Sequence, residues 1–216
     1  MRMNIKPVIF FDWDGTIGDS MALCLGEVRL ALRRIGHGEV DEELIRACNG
    51  PTHEQSVGVL GLDPAVGPAF IRERIRAEQE LIPELLQVYP GSRDMLECLS
   101  RRATRASASN GQQAYILRSL EVTGMAHYFA RVQAAIPGKT KPDILKMLID
   151  ELQPTHAVMV GDRATDFEAG RSCQLPLYCA RYGYGDESEW AMADYQADSV
   201  QELCGQLQTW LDTIGA

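Results

Sequence analysis

The chain has 216 residues, 45% of them hydrophobic and 24% charged, the proportions of a globular protein that can build one core or a core with a small appendage. A formal net charge of −9 excludes a surface made to neutralise nucleic-acid phosphates or to lie on anionic lipid, so a small anionic ligand would need a bound cation or aimed N–H groups. The six cysteines show no CxxC pair and no zinc-ligand spacing with histidine, and no apolar run reaches signal-peptide or membrane-spanning length, which together give the expectation of a cytoplasmic protein with free thiols.

The first element is the apolar run Pro7–Phe11, stopped by an acidic, glycine-containing cluster, and it reads as a buried strand feeding a loop. From Met21 to Leu86 the apolar residues recur at helical spacing with no convincing strand. Leu23, Val28, Leu30, Leu32 and Ile35 mark a first amphipathic helix ended by Gly36, and Leu44, Ile45, Val57, Val59, Leu60, Phe70, Ile71, Ile75 and Leu81 continue in shorter pieces. The turn Tyr89-Pro90-Gly91 follows, with Ser92 as expected N-cap of a helix over Arg93–Ser100. Short β-compatible runs then appear at Arg105–Ser109, Arg131–Ala135, Ala157–Val160 and Leu177–Ala180. Helical stretches at Gln112–Val122, Asp143–Leu152 and Thr165–Cys173 separate them. Such alternation predicts an α/β fold: a doubly wound parallel sheet, Rossmann-like, formed by residues 1–19 and 89–216, with residues 20–88 inserted as an α-helical cap domain.

In a doubly wound sheet the site forms at the carboxyl ends of the strands. After the first strand come Asp12, Asp14, Gly15 and Thr16; after the second, Ser109 and Asn110; after the third, Lys139, Thr140 and Lys141; after the fourth, Gly161, Asp162 and Asp166. This set suits a phosphate ester. Clustered carboxylates repel one another unless a hard cation sits among them, and Mg²⁺ fits Asp12, Asp162 and Asp166, with Asp14 beside them in the expected metal group. Such a cation also removes the repulsion between a carboxylate nucleophile and an anionic phosphoryl group. Ser109 and Lys141 would stabilise the phosphoryl oxygens, with Asn110, Thr16 and Gly15, which would let the backbone turn tightly and offer its N–H, completing the cradle. Asp12 would attack phosphorus, and Asp14, two residues on, would protonate the departing alcohol and later deprotonate water.

The hexapeptide Phe11-Asp12-Trp13-Asp14-Gly15-Thr16 resembles the DxDGT motif of the haloacid dehalogenase superfamily. Ser109, Lys141-Pro142-Asp143 and Gly161-Asp162 through Asp166 match its remaining motifs in order, over nearly the whole chain. The resemblance implies a phosphoglycolate-phosphatase-like branch with a helical cap, Tyr89-Pro90-Gly91 being similar to its return hinge. It implies a magnesium-dependent phosphoric monoester hydrolase acting on a small-molecule phosphate ester (phosphoglycolate-like, sugar phosphate or nucleotide), as a monomer or homodimer. Two positions depart from the pattern: Arg163 stands where serine is common, and Trp13 where leucine is more frequent.

Other readings compete with these. A phosphomutase of the same superfamily would form the same aspartyl-phosphate, and a phospho-receiver module would pair similar residues without turnover; the helical insert and the second acid pair fit the receiver poorly. Gly138-Lys139-Thr140 resembles the end of a nucleotide-cradling loop, but Gln133 occupies the first glycine position. Asp166 could cap the following helix or pair with Lys141 instead of meeting a metal. In the insert, Asn49, Thr52 and His53 are candidate specificity residues, against a surface or helix-start reading of the histidine.

Overall fold

The computed structural model describes residues 7–216. Strand β1 (Val8–Phe11) has all four residues buried, because both of its faces are covered. Its period-two alternation divides the interior. Ile9 and Phe11 join Leu96, Leu99, Leu203, Leu207 and Leu211 on one face of the sheet, while Val8 and Phe10 join Ile144, Leu145, Leu148 and Phe167 on the other.

The helices carrying those residues follow the chain. After β1 come β2 (Gly18–Asp19) and the insert helices α1 (Met21–Arg34), α2 (Glu42–Arg46), α3 (His53–Val59) and α4 (Gly67–Leu85). The chain returns through β3 (Gln87–Val88), α5 (Ser92–Ser100), β4 (Thr104–Ala108), α6 (Gln113–Thr123), a 3₁₀ turn (Ala126–Tyr128) and β5 (Arg131–Gln133). It ends with α7 (Lys141–Leu152), β6 (Ala157–Gly161), α8 (Ala164–Ser172), β7 (Leu177–Ala180), α9 (Glu187–Trp190), β8 (Tyr195–Ala197) and α10 (Val200–Thr213).

The main sheet runs β5-β4-β1-β6-β7-β8, with every pairing parallel. Strand β1 lies between β4 and β6, where the winding direction reverses, so the ends of these three strands open onto one crevice. Every expected strand and helix of this core is found within a few residues of its expected bounds, and β8, α9 and α10 extend it beyond Ala180.

From Met21 to Leu85 the regular elements of the insert are helices, and it has an apolar cluster of its own in Cys24, Val28, Ala31, Leu32, Ile45, Cys48, Leu60, Leu62 and Phe70. Leu44, expected among the apolar positions, is instead exposed. At its ends the two-residue strands β2 and β3 pair antiparallel, Gly18 opposite Val88 and Asp19 opposite Gln87. Gly36 follows α1 with a positive φ of 72°, as a helix stop requires. At the return turn the cap differs from expectation: Gly91, at φ 88°, occupies the N-cap position, and Ser92 is already helical with no side-chain cap bond.

Candidate active site

Asp12 follows β1 directly and its side chain meets the ammonium of Lys141, Nζ lying 2.9 Å from Oδ1. Lys141 reaches this place because Thr140 caps α7: Thr140 Oγ1 accepts the Asp143 N–H at 3.4 Å and the Asp143 carboxylate accepts the Thr140 N–H at 2.8 Å. Gly138-Lys139-Thr140 is thus a helix start, and Lys139 is exposed. Lys141 Nζ also pairs with Asp166 Oδ1. Burial opposes its charge, but the carboxylates of Asp12 and Asp166 outweigh that effect and hold the ammonium above its usual pKa.

Asp166 lies in the first turn of α8 and combines two of the roles expected for it. Its Oδ2 accepts the backbone N–H groups of Asp162 and Arg163, both at 3.0 Å, while Oδ1 faces Lys141. The α8 N-terminus therefore needs no serine at 163. The Ala164 N–H is taken by Glu189 at 3.1 Å, and the Arg163 side chain turns outward, Nε to Glu189 at 3.1 Å and Nη1 to the Asn49 carbonyl at 3.2 Å.

Asp12, Asp162 and Asp166 each offer an oxygen within 4.8 Å of the others. One lysine does not balance three buried carboxylates. Burial, then repulsion from Asp166, pushes Asp12 up to about 7 despite Lys141. Burial, then Asp166 and Asp12, lifts Asp162 well above the usual carboxylate range. An all-oxygen donor set this crowded fits a hard divalent cation.

Asp14 is not part of that oxygen cluster. It is half-buried, and Tyr115 of α6 donates its phenolic hydroxyl to Asp14 Oδ1. Burial lifts the Asp14 carboxyl above its usual range and the Glu78 charge adds to this, while hydrogen bonds from Ser20 and Tyr115 pull it back. Ser109, at the end of β4, is buried, and its Oγ accepts the Gly111 N–H at 3.0 Å; Asn110 is half-buried and lines the same cavity.

Two expected phosphate donors are otherwise engaged. The Gly15 N–H goes to the Gly18 carbonyl at 2.9 Å, closing the turn. Glycine is required there by a φ of 75° and because a Cβ would stand 2.1 Å from Asp162 Oδ2. Thr16 is fully buried, its hydroxyl 3.5 Å from Asp162 Oδ1 and its carbonyl accepting from Tyr182. Trp13 is also fully buried; its indole lies over Gly18, the residue that leaves room for it.

A cavity of about 650 Å³ joins these residues to the insert. His53 starts α3, as the helix-start reading has it, yet it is buried and lines the cavity, its Nε2 3.4 Å from Glu78 and its Nδ1 3.4 Å from Gln112. Asn49 is buried with its amide 3.4 Å from Ser20 Oγ. Thr52 also lines the cavity, but its hydroxyl caps α3 by accepting the Gln55 N–H.

Several contributors were hidden in the sequence. The loop after β7 brings the Tyr184 N–H to Asp162 Oδ2 at 2.7 Å, and the Tyr184 hydroxyl accepts the Ser20 N–H at 2.6 Å. The spacing Gly183-Tyr184-Gly185, three residues past the end of a strand, was the available signal. Tyr115, Glu27, Arg74 and Glu78 lie inside helices and carried none.

A family model described as haloacid dehalogenase-like hydrolase matches residues 9–179, most of the chain. The chain belongs to that family. Among this hydrolase's relatives, the phosphoglycolate phosphatase of Synechococcus elongatus is 27% identical over 200 residues, covering 90% of this chain and 94% of the other. That of Vibrio parahaemolyticus is 28% identical over 219 residues, covering 94% and 96%. A haloacid dehalogenase-like hydrolase from Streptococcus pneumoniae superposes with a TM-score of 0.86 at 22% identity, over 94% of this chain and 98% of the other, a likeness of fold. All six cysteines of this hydrolase are free, and among the described residues no helix is long and apolar enough to cross a membrane.

Proposed function

We propose that this hydrolase is a Mg²⁺-dependent phosphatase of small phosphate monoesters, working through an aspartyl-phosphate on Asp12. The observation that carries the reading is the convergence of Asp12, Lys141, Asp162 and Asp166 at one rim, with Asp14 held apart from them by Tyr115. The names of its phosphoglycolate phosphatase relatives support the same class of reaction.

In this reading an Asp12 oxygen bonds to phosphorus as the ester P–O bond breaks, and Asp14 gives its proton to the departing alcohol. Lys141 and Ser109 hold the equatorial oxygens while charge redistributes. Water then attacks the acyl phosphate, Asp14 takes its proton, and inorganic phosphate leaves with Asp12 restored. A Mg²⁺ ion held by Asp12, Asp162 and Asp166 would keep Asp12 ionised near neutral pH and offset the charge on the phosphoryl group. Residues 20–88 serve as a lid on residues 1–19 and 89–216, a division supported by the separate apolar cluster of the insert and the β2–β3 pairing at its base.

Phosphate release from a panel of small monoesters tests the reading. Release should require Mg²⁺ and stop when a chelator removes it, and Asp162→Ala should raise the Mg²⁺ concentration needed for half-maximal rate at least tenfold. Undiminished turnover in chelator would overturn the metal assignment.

A further inference from the structure

Beyond Asp14 and Tyr115 the cavity continues into the insert, where its wall is formed by Glu27 of α1, His53 of α3, and Arg74 and Glu78 of α4. All four side chains are buried, and Glu27, His53 and Glu78 each bring one polar atom within 4.8 Å of the others. In the phosphatase reading the phosphoryl group lies at Asp12, so the departing alcohol faces this wall.

The one guanidinium on the wall is already committed. Arg74 Nε donates to Glu27 at 2.8 Å, Nη1 to Ser56 Oγ at 2.6 Å, and Nη2 to the Cys48 carbonyl at 3.3 Å. Arg163, at the cavity edge, is spent on Glu189 and the Asn49 carbonyl; Lys139 also lines the cavity, but from the exposed loop between β5 and α7 and not from the helices that carry Glu27 and Glu78. A carboxylate arriving here would meet Glu78, with Glu27 already paired to Arg74 and, among the described residues lining the cavity, no unengaged guanidinium to offset it, a like-charge contact in a poorly solvated space. Glu78, by contrast, has acceptor capacity left. Its contacts are long ones, His53 Nε2 at 3.4 Å and Gln79 Nε2 at 3.3 Å, and a carboxylate can accept about four hydrogen bonds.

Resting on the phosphatase reading above, we infer that the preferred leaving group bears hydrogen-bond donors of its own, hydroxyl or ammonium, and no carboxylate, and that Glu78, steadied by His53, selects it. The relatives' name does not fix this hydrolase's leaving group, because selection by a few wall residues is independent of the chemistry at the rim.

The test compares kcat/KM with Mg²⁺ on four esters of similar size: glycerol phosphate, phosphoethanolamine, ethyl phosphate and phosphoglycolate, with an activated aryl phosphate as reference. At least one of the two donor-bearing esters should exceed phosphoglycolate tenfold or more, and which of them leads separates hydroxyl from ammonium recognition. In Glu78→Leu the advantage of that ester over ethyl phosphate should fall at least tenfold. Wild-type preference for phosphoglycolate, or equal rates on all four esters, would overturn the inference while aryl phosphate turnover leaves the phosphatase reading standing. An unchanged ratio in Glu78→Leu would overturn the role of Glu78. Absence of release from every ester, the aryl phosphate included, would overturn the phosphatase reading and this inference with it.

Discussion

Asp12 and Asp14 are two residues apart, yet they sit in different electrostatic surroundings. Asp12 lies against Lys141 and shares its space with two further carboxylates, whereas Asp14 faces Tyr115 and senses Glu78. Environments that differ in this way are how one pair of identical side chains takes on nucleophilic and acid–base roles. Tyr115→Phe removes the donor that pulls the Asp14 pKa down, so that pKa should rise. Because Asp14 must be protonated to serve as acid, the rate limb it governs should move to higher pH, with kcat reduced by about 10- to 100-fold, as expected for losing a hydrogen bond to a charged group. A pH–rate profile of Tyr115→Phe that overlays the unsubstituted one would remove Tyr115 from the account. The carboxylates, Ser109 and Lys141 were legible in the sequence because each stands directly after an apolar run or at the next helix start. Tyr115 and Glu78 were not, since a polar residue inside an amphipathic helix looks the same whether it faces solvent or a cavity. Gly15 was legible as the residue that lets the chain turn tightly, but the approach of Asp162 that also demands a glycine was not, and its N–H closes the turn.

The loop between β7 and α9 supports Asp162, one of the carboxylates of the candidate metal site, from a fifth strand end. A Cβ on Gly183 would stand 2.4 Å from the Gly15 carbonyl oxygen, and one on Gly185 would stand 2.1 Å from the Asp162 carbonyl oxygen. Backbone atoms cannot step aside as a flexible side chain can. Gly185→Ala should therefore displace Asp162, lower stability by about 1–3 kcal/mol and raise the Mg²⁺ requirement. Gly205→Ala, in α10 where nothing lies within 4 Å, provides the contrast and should gain about 0.8–1 kcal/mol from helix propensity. Denaturation midpoints and Mg²⁺ titrations of both variants check this, and a Gly185→Ala protein as stable and as active as the parent would contradict it. The alternation of apolar runs made the order β1, β4, β5, β6, β7 readable. The pieces missed are those with little pattern to read: β2 and β3 have two residues each, and β8 has three, two of them exposed. Helix α10 does carry a readable spacing, Val200, Leu203, Leu207 and Leu211, but no chemistry-bearing motif stands beside it.

At the scale of the whole molecule, chemistry and selection are assigned to different parts of one cavity. The sheet supplies Asp12, Asp14, Ser109 and Asp162 from its strand ends, and the insert supplies the wall opposite. Contacts between the two are of two kinds: polar ones, Arg163 to the Asn49 carbonyl, Gln112 to His53, and Tyr184 to the backbone at Ser20 and Met21, and apolar ones, Leu23, Ile82 and Leu86 of the insert joining the core of Phe11, Tyr115 and Ile116. The polar contacts can be exchanged for water, as the lid proposed above needs, while the apolar ones lie near the two ends of the insert, where a hinge would sit. The helical run from Met21 to Leu86 was legible because helical spacing there interrupts a strand-and-helix alternation. The content of its inner wall was not, because Glu27, Arg74 and Glu78 converge from two helices far apart in sequence. All of this depends on Asp12 forming a bond to phosphorus. The most direct test is to quench the protein in acid during turnover of a phosphate ester with Mg²⁺, then locate any added phosphoryl group by peptide mass analysis. A phosphoryl group on the peptide holding Asp12, with both the adduct and phosphate release reduced by more than about 10³-fold in Asp12→Asn, is the predicted result. Retention of turnover in Asp12→Asn, or a phosphoryl group carried by a different residue, would contradict the account.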